Sequence, residues 1–482
     1  MRTMKNNFKW LLWVSLTFVA CNDEETLTVD NPVTAGTADF SNYVALGDSF
    51  AAGYSDNALF KAGQQNGYPN IMAQQFAAAG GGGFNTPFMA DDNVGGFSSG
   101  GVQMPQFPSR LYFNGSAPVN VTGVSGTAIT DRLSGSFNNM GIPGAKCIHL
   151  GFSGYAAANP YFGRIASATS ATVIQDAIAQ NPTFFSLWIG GNDVLGYATN
   201  GGVPTSQDPV NGNDITPPAT FDAVYNGLVS QLVAGGRKGV VANLPYVSTL
   251  PYFTTVPYNP VKLDAATANV LNGANGFGAY NAGIQFALAN KLISSEEAAL
   301  RTIVFRAAPD NAVVIIDSYL TDLSGYSLPS YRQATNKDLL VLPSRSFIGT
   351  FVGGNPSAVN GVSVPLADNW VLSKEEIAEV KIATDAYNAT ILAAANANQL
   401  AFVDSKELMD KIASPTGYVF GAYTMKATYV TGGSFSLDGI HPSPRGYALI
   451  ANAFLDAINL KYGATLKKVD AKDYQILYPK SF

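Results

Sequence analysis

Three times in this chain, a segment with the helical spacing of apolar residues is followed by a short apolar run of strand length. The helical segments cover residues 165–179 and 221–234, and a long third one begins at a Ser373/Glu376 capping box. Helices that alternate with buried strands favour a parallel sheet, because each crossover helix returns the chain to the same end of the sheet. We therefore predict an α/β fold with strands at 183–189, 239–245 and 400–404, and a further strand at the apolar run 312–317.

An earlier apolar run ends in a tripeptide that could carry chemistry. Val44-Ala45-Leu46 leads directly into Gly47-Asp48-Ser49. A serine at the carboxyl end of a buried strand lies where open α/β sheets bind their ligands. The tripeptide is also common in turns, so it does not identify a site alone. Two later blocks each follow a predicted strand or precede a predicted helix: Gly190-Gly191-Asn192-Asp193 and Asp438-Gly439-Ile440-His441-Pro442.

Hydrolysis of an ester by a serine requires a base that accepts the hydroxyl proton and a carboxylate that orients the base. The chain has only two histidines, which narrows the choice of base. His441 follows Asp438 by three residues in a turn that contains glycine. A turn of this length lets the carboxylate fold back on Nδ1 and leaves Nε2 for the serine. The pattern predicts Ser49, Asp438 and His441 as catalytic residues.

The other histidine offers an alternative nucleophile pair. His149 lies two residues after Cys147, and residues two apart on a strand point to the same side. A thiol at Cys147 could then serve as the nucleophile. However, no acidic residue lies close by in the sequence to orient this histidine. We therefore interpret His149 as a structural residue beside a buried strand.

Taken together, the blocks at 47–49, 190–193 and 438–442 resemble the signature blocks of the SGNH hydrolases, also called the GDSL esterase/lipase family. The resemblance covers the predicted core and leaves out two long stretches between its pieces. It implies a three-layer α/β/α sandwich of the SGNH or flavodoxin-like type, with a mainly parallel sheet. It also implies a serine esterase or lipase that uses no metal or organic cofactor.

The same resemblance implies three hydrogen-bond donors for the oxyanion of the tetrahedral intermediate. These are the backbone N–H of Ser49, the backbone N–H of Gly144 and the side-chain amide of Asn192. Gly144 ends the loosest of the matching blocks, at 139–144, and Gly141 in the same block is an alternative. The carboxylates beside the blocks are expected to hold the turns through hydrogen bonds: Asp48 and Asp193.

Two irregular stretches are interpreted as insertions into one hydrolase domain at 38–465, which is followed by a C-terminal tail at 466–482. The first insertion, about 56–138, is too long for a connecting loop and could form one wall of a substrate cleft or a surface excursion. Its Asn114-Gly115 pair predicts a β-hairpin. The second insertion, about 323–370, is rich in Ser, Gly and Pro.

The N-terminus has the pattern of an exported lipoprotein. Basic residues precede an apolar run at 10–20 that is too short to span a bilayer as a helix. Phe18-Val19-Ala20-Cys21 resembles a bacterial lipobox. We expect a signal peptide at 1–20, a lipid on Cys21 and a tether at 21–37 that holds the protein at the cell envelope, on the outer membrane. The alternative is a plain signal peptide, with Cys21 unmodified.

Charge and composition narrow the range of partners. The net charge is −6, and without the three basic residues of segment 1–20 it is −9, so nucleic-acid binding is not expected. The expected partners are a small-molecule or lipid ester and, through the N-terminal lipid, a membrane. The sequence thus predicts a secreted serine esterase or lipase that forms an acyl-enzyme. The alternatives are a carbohydrate O-acetyl esterase and a non-catalytic surface-binding lipoprotein on the same fold.

Overall fold

A five-stranded parallel sheet forms the centre of the protein, as the computed structural model shows for residues 32–90, 93–206, 208 and 210–482. Its strands lie side by side in the order β2-β1-β3-β4-β5. The prediction of an α/β fold with a parallel sheet is therefore confirmed. In chain order the strands are β1 (Tyr43–Gly47), β2 (Asn139–Gly141), β3 (Phe184–Trp188), β4 (Lys238–Ala242) and β5 (Ala401–Val403).

Helices cover both faces of the sheet, which gives the three layers. On one face, the ring of Trp188 packs against the rings of Tyr68 and Phe454, at centroid distances of 5.7 and 6.0 Å. These two partners belong to the helices Tyr68–Ala77 and Pro444–Tyr462. On the other face, the helices Pro218–Val233 and Lys374–Ala397 pack together through stacked rings of Phe221 and Tyr387. Every residue of β1 and β3 is buried, as strands between two helical layers should be.

The remaining elements lie between these layers or in the chain outside them. The other α-helices are Ser49–Ala52, Lys61–Gln65, Tyr155–Ala158, Pro160–Gly163, Val173–Ala179, Asn192–Thr199, Pro251–Thr254, Ala265–Asn272, Phe277–Ala289, Ser295–Arg301, Ser344–Phe347 and Ser405–Ala413. Two-stranded antiparallel ribbons pair Ser98–Ser99 with Val102–Gln103, Leu111–Phe113 with Pro118–Asn120, Val314–Ile316 with Tyr331–Gln333, Leu339–Leu340 with Val371–Leu372, and Tyr418–Phe420 with Tyr423–Met425. The second of these ribbons is the hairpin predicted at Asn114-Gly115.

The order of the strands reverses at β1, which places a ligand site there. The chain goes from β1 to β2 on one side and then crosses back to β3 on the other. In open α/β sheets, ligands bind outside the carboxyl ends of the strands at such a reversal. Gly47, the last residue of β1, pairs with Gly141 of β2 and with Trp188 of β3. The segments that follow these three strands therefore leave the sheet at the same level.

A second hydrophobic core lies outside the central sheet, within residues 256–371. The strand Val314–Ile316 belongs to it and pairs with Tyr331–Gln333, not with the central sheet. Arg332 of this ribbon is buried and bonds the carboxylates of Asp317 and Asp338. This part of the chain thus folds around apolar and ionic contacts of its own.

The expectations for the N-terminus fall outside the described residues. These are the signal peptide at 1–20, the lipid on Cys21 and most of the tether at 21–37. Within the part of the chain that is described, no helix is both long and apolar enough to cross a membrane.

Candidate active site

Ser49 lies where β1 turns sharply into a short helix. The strand ends at Gly47, and Ser49 is the first residue of the helix Ser49–Ala52. Asp48 caps this helix, because its Oδ1 accepts the N–H of Phe50 at 2.9 Å. The turn requires glycine at position 47, since a Cβ there would lie 2.4 Å from the carbonyl oxygen of Trp188. The tight turn holds the Ser49 side chain at the edge of the sheet.

The structure brings Ser49, His441 and Asp438 into one chain of hydrogen bonds. The Ser49 hydroxyl lies 2.8 Å from Nε2 of His441, and Nδ1 of His441 lies 2.8 Å from Oδ2 of Asp438. The other carboxylate oxygen, Oδ1, accepts the backbone N–H groups of Ile440 and His441, both at 2.8 Å. The turn predicted from the spacing of Asp438 and His441 thus folds the carboxylate back onto its own imidazole.

Aromatic rings surround the imidazole of His441. The ring centroid of Tyr54 lies 4.6 Å from that of His441, and the centroid of Phe50 lies 5.3 Å from it. Both rings come from the segment that follows Ser49. Ser49 and His441 are only slightly exposed, the serine to 6%. The hydroxyl and the imidazole therefore meet in surroundings that largely exclude water.

The charge of Asp438 is maintained by its partners. Burial by itself raises the pKa of this carboxyl, but His441 and the hydrogen bonds from it and from the N–H of Ile440 hold the pKa below its usual range. Asp438 is therefore ionised at neutral pH. A carboxylate in this position favours the tautomer of His441 that has its proton on Nδ1, which leaves Nε2 to accept a proton from Ser49.

Asn192 and Gly144 follow the strands on either side of β1. Asn192 is the first residue of the helix that follows β3, and its Nδ2 donates to the carbonyl of Ala145 at 3.0 Å. This bond fixes the orientation of the side-chain amide. Gly144 follows β2 and has a φ of +81°, which favours glycine. Within the described residues, the N–H of Gly144 has no protein acceptor, so it is available to a ligand.

The N–H of Gly141, the alternative to Gly144, already has a hydrogen-bond acceptor in the protein. This N–H donates to Oδ1 of Asn139 at 3.0 Å. A Cβ at Gly141 would lie 2.3 Å from the backbone nitrogen of Ala52, so this glycine allows β2 to pack closely against the helix of Ser49. The N–H of Gly141 is therefore already used and its Cα packs against the Ser49 helix, whereas the N–H of Gly144 has no acceptor within the described residues.

Asp48 and Asp193 bond backbone groups of the turns around the site. Oδ2 of Asp193 accepts the N–H of Cys147 at 2.8 Å, and Asp48 caps the Ser49 helix. Burial raises the pKa of Asp48 to about 7 and that of Asp193 to about 6. Neither carboxyl bonds His441, which agrees with the interpretation that they hold turns.

Cys147 and His149 do not form a nucleophile pair. They lie in the 3-10 helix Cys147–Gly151, not beside each other on a strand as the sequence suggested. Nδ1 of His149 accepts the N–H of Lys146 at 2.9 Å, and its Nε2 bonds the carbonyl of Val210 at 2.7 Å. Both ring nitrogens are thus used by the backbone. The thiol of Cys147 is fully buried, and burial raises its pKa well above the usual value. His149 is structural in this environment.

Asp56 and Asn57, which no sequence pattern marked as functional, contact the loop of Asp438. Both have left-handed backbone angles, with φ of +50° and +63°. Among residues other than glycine, Asp and Asn adopt this conformation most readily, so the pair could have been interpreted as a turn. Its contact with Asp438 spans about 380 residues and could not have been seen in the local pattern.

Comparison with known proteins gives weak likenesses. No family model matches the chain, and no curated protein matches it. Among solved structures, the chain is similar to Axe2, an acetylxylan esterase from Geobacillus stearothermophilus, with 11% identity over 89% of this chain and 98% of that chain and a TM-score of 0.33. It is also similar to LAE5, an alpha/beta hydrolase from the metagenome of Lake Arreo, with 13% identity over 88% of this chain and 96% of that chain and a TM-score of 0.32.

A third similar structure is the extracellular lipase of Streptomyces rimosus, with 13% identity, 87% and 99% of the two chains covered, and a TM-score of 0.30. These three structures share at most 13% of their residues with the chain, and their TM-scores lie between 0.30 and 0.33.

Proposed function

We propose that this protein is a serine esterase or lipase of the SGNH type, which hydrolyses carboxylic esters through an acyl-enzyme. The observation that carries the proposal is the chain of two 2.8 Å contacts that joins the Ser49 hydroxyl to Nε2 of His441, and Nδ1 of His441 to Asp438. Three residues with these roles, at these distances and at the carboxyl edge of the sheet, match the requirements of nucleophilic catalysis by serine.

The proposed reaction has two halves. His441 accepts the proton of Ser49 as the Ser49 oxygen attacks the ester carbonyl, and the negative charge moves to the carbonyl oxygen. The N–H groups of Ser49 and Gly144 and the amide of Asn192 stabilise this oxyanion. When the intermediate collapses, the bond to the alcohol breaks and His441 gives the proton to the leaving oxygen. Water then attacks the acyl-enzyme with the help of His441, which releases the acid and restores Ser49.

Apolar cavities next to Ser49 are evidence for a substrate whose acyl group is longer than acetyl. Two adjoining cavities of about 40 and 50 Å³ share the walls Phe50, Trp188, Pro245 and Leu250. Phe50 is the residue after Ser49. The first cavity is also lined by the residues that precede Asn192 and His441 in the chain, Gly191 and Ile440.

The size of the cavity suggests the length of the chain. One water-sized group needs roughly 10–15 Å³. The two cavities, of about 40 and 50 Å³, therefore have room for roughly seven water-sized groups in total. Their walls are almost entirely apolar side chains such as Met409, Ile412 and Phe435. We propose that this space receives the acyl chain of the substrate, with a short to medium length.

A series of p-nitrophenyl esters from acetate to dodecanoate tests this proposal. Each methylene buried in the cavity is worth about 0.8 kcal/mol, or about fourfold in kcat/KM. We expect kcat/KM to rise about fifteenfold from acetate to butyrate, which adds two methylenes, and to level off near the octanoate. Leu250 lines both cavities, so Leu250→Trp should lower the ratio of octanoate to acetate turnover at least about fivefold.

The control for Leu250→Trp is a tryptophan substitution at an exposed position. Ile382 is 68% exposed, so Ile382→Trp adds the same side chain on the surface and should leave the ratio unchanged. A parent enzyme that prefers acetate, and turns over acetylated xylan better than butyrate, would contradict the proposal in favour of an O-acetyl esterase. If the folded protein hydrolyses no ester, the result would favour the alternative of a non-catalytic surface-binding protein.

We also propose that the protein is exported and anchored at the outer membrane through a lipid on Cys21. The support is the sequence of the N-terminus, with its apolar run at 10–20 and the Phe18-Val19-Ala20-Cys21 block. A labelled fatty acid should be incorporated into the parent chain and not into Cys21→Ser. Equal labelling of both would contradict the anchor.

A further inference from the structure

A strained turn lies just after the helix of Ser49. We call it the 55–57 turn, after its residues Ser55, Asp56 and Asn57. Asp56 and Asn57 have successive positive φ angles of +50° and +63°. Two such residues in a row are uncommon outside glycine, and strain of this kind persists only where surrounding contacts maintain it. The contacts of the turn therefore indicate what it does.

Four hydrogen bonds of this turn reach the loop that carries Asp438 and His441. The Ser55 hydroxyl donates to the carbonyl of Pro442 at 3.1 Å, and the N–H of Asp56 donates to the hydroxyl of Ser436 at 3.0 Å. The N–H of Asn57 donates to Oδ2 of Asp438 at 3.0 Å. This is the same oxygen that lies 2.8 Å from Nδ1 of His441. The turn thus contacts this loop at its start, middle and end.

The carboxyl of Asp56 makes the fourth contact. Its Oδ1 accepts the N–H of Leu437, the residue before Asp438, at 2.8 Å. The carbonyl of Leu437 accepts a hydrogen bond from the hydroxyl of Tyr429 at 2.5 Å. Leu437 is therefore held at both its N–H and its C=O. Because Asp438 follows directly, these two bonds limit how its side chain can move relative to His441.

We infer that Asp56 is a positioning residue, which holds the Leu437–Asp438 backbone so that the carboxylate of Asp438 stays aligned with Nδ1 of His441. The inference rests on the proposed function, because alignment matters for turnover only if His441 acts as the base. Asp56 is 1% exposed and acts through Leu437, without contact to Ser49 or to His441.

An uncharged side chain can replace Asp56 in this role. Burial and, to a smaller extent, the charge of Asp438 raise the pKa of Asp56 to about 7, although the hydrogen bond from Leu437 and the charge of Arg110 oppose this shift. Its Oδ2 has no hydrogen-bond partner among the described residues. Asparagine keeps an oxygen that can accept the N–H of Leu437, so Asp56→Asn should retain most of the alignment.

Asp56→Gly is the decisive variant. Glycine suits a φ of +50°, so this change removes the carboxyl without adding backbone strain. Because a misplacement of about 1 Å in an active site can cost about 10²-fold in rate, we expect kcat to fall about 10²-fold with KM changed by less than about threefold. Asn57→Gly places glycine at the next left-handed residue and keeps its N–H, so its loss of kcat should be far smaller.

A second readout does not depend on turnover. Nδ1 of His149 accepts a hydrogen bond from Lys146, so His441 is the only histidine whose Nδ1 has a proton facing a carboxylate. The low-field proton resonance of this Nδ1–H reports the contact with Asp438. We expect the parent and Asp56→Asn to show it, and Asp56→Gly to lose it or shift it upfield.

The outcomes separate the inference from the proposed function. If folded Asp56→Gly keeps both the resonance and the parental kcat, the inference is wrong. If Asn57→Gly loses as much kcat as Asp56→Gly, added flexibility explains the effect and the inference is also wrong. If the parent hydrolyses no ester but Asp56→Gly still loses the resonance, Asp56 positions Asp438 and the proposed function alone fails.

Discussion

Replacement of Ser49 by alanine should lower kcat toward p-nitrophenyl butyrate by at least about 10⁴-fold, because no other group in the site can form the acyl-enzyme. The Ser49 hydroxyl is the atom that lies 2.8 Å from Nε2 of His441. Its removal leaves the fold intact, since the Ser49–Ala52 helix is capped by Asp48 and not by the serine. We therefore expect the thermal midpoint of unfolding to remain close to that of the parent.

Ser186 provides the matched control for this experiment. It is a fully buried serine on β3 that bonds the hydroxyl of Tyr43 at 2.7 Å, away from His441. Ser186→Ala should lower the thermal midpoint, because it leaves the buried hydroxyl of Tyr43 without this partner, and it should retain kcat. If Ser49→Ala keeps the parental kcat while it is folded, Ser49 is not the nucleophile.

Asn192→Ala should lower kcat by about 10²- to 10³-fold with little change in KM, as expected for a side chain that stabilises the oxyanion and contributes little to substrate binding. The bond from Nδ2 to the carbonyl of Ala145 fixes the amide before substrate arrives. A donor held in advance lowers the free energy of the transition state without reorganisation at the moment of reaction.

The control is Asn200, which follows the same helix at its other end. Its Nδ2 donates to the carbonyl of Val203 at 2.7 Å, so Asn200→Ala removes a comparable side-chain bond at a distance from Ser49. It should leave kcat near the parental value. A drop in kcat/KM for Asn192→Ala that comes entirely from KM would mean that Asn192 binds the ground state and is not an oxyanion donor.

Local sequence patterns were sufficient for four of the five strands of the central sheet, including the run at 400–404 that forms β5, but they did not predict β2 at Asn139–Gly141. The runs at 183–189 and 239–245 form β3 and β4, and the run that ends at Gly47 forms β1. Strands that are buried on both faces consist mostly of apolar residues, which a sequence displays directly. The capping box at Ser373 also forms, because it depends only on residues within one turn of helix.

The pairing of distant segments could not be predicted in the same way. The strand expected at 312–317 forms at Val314–Ile316, but it joins an antiparallel ribbon in the second core. An apolar run of this length does not specify its partner, because its neighbours in space are determined by contacts far away in the sequence. The choice between Gly141 and Gly144 was open for the same reason, since it depends on how close β2 lies to the Ser49 helix.

The sequence predicted only part of the site. The spacing of Asp438 and His441 indicated their contact, because a three-residue turn fixes it locally. The contacts of the 55–57 turn and the apolar cavity could not be predicted from the sequence. Both are assembled from segments that lie far apart in the sequence, such as Phe50, Trp188 and Leu250 in the cavity. Such walls become apparent only when the chain is folded.

The most direct test of the proposed nucleophile is reaction of the folded chain with a fluorophosphonate, followed by peptide mass spectrometry. The serine oxygen displaces fluoride from phosphorus, and no turnover of an ester is needed. We expect one phosphonyl group per chain, on the peptide that contains Ser49, and no labelling of Ser49→Ala or His441→Ala. A folded parent chain that stays unlabelled, or that is labelled on another serine and equally in His441→Ala, would contradict the account.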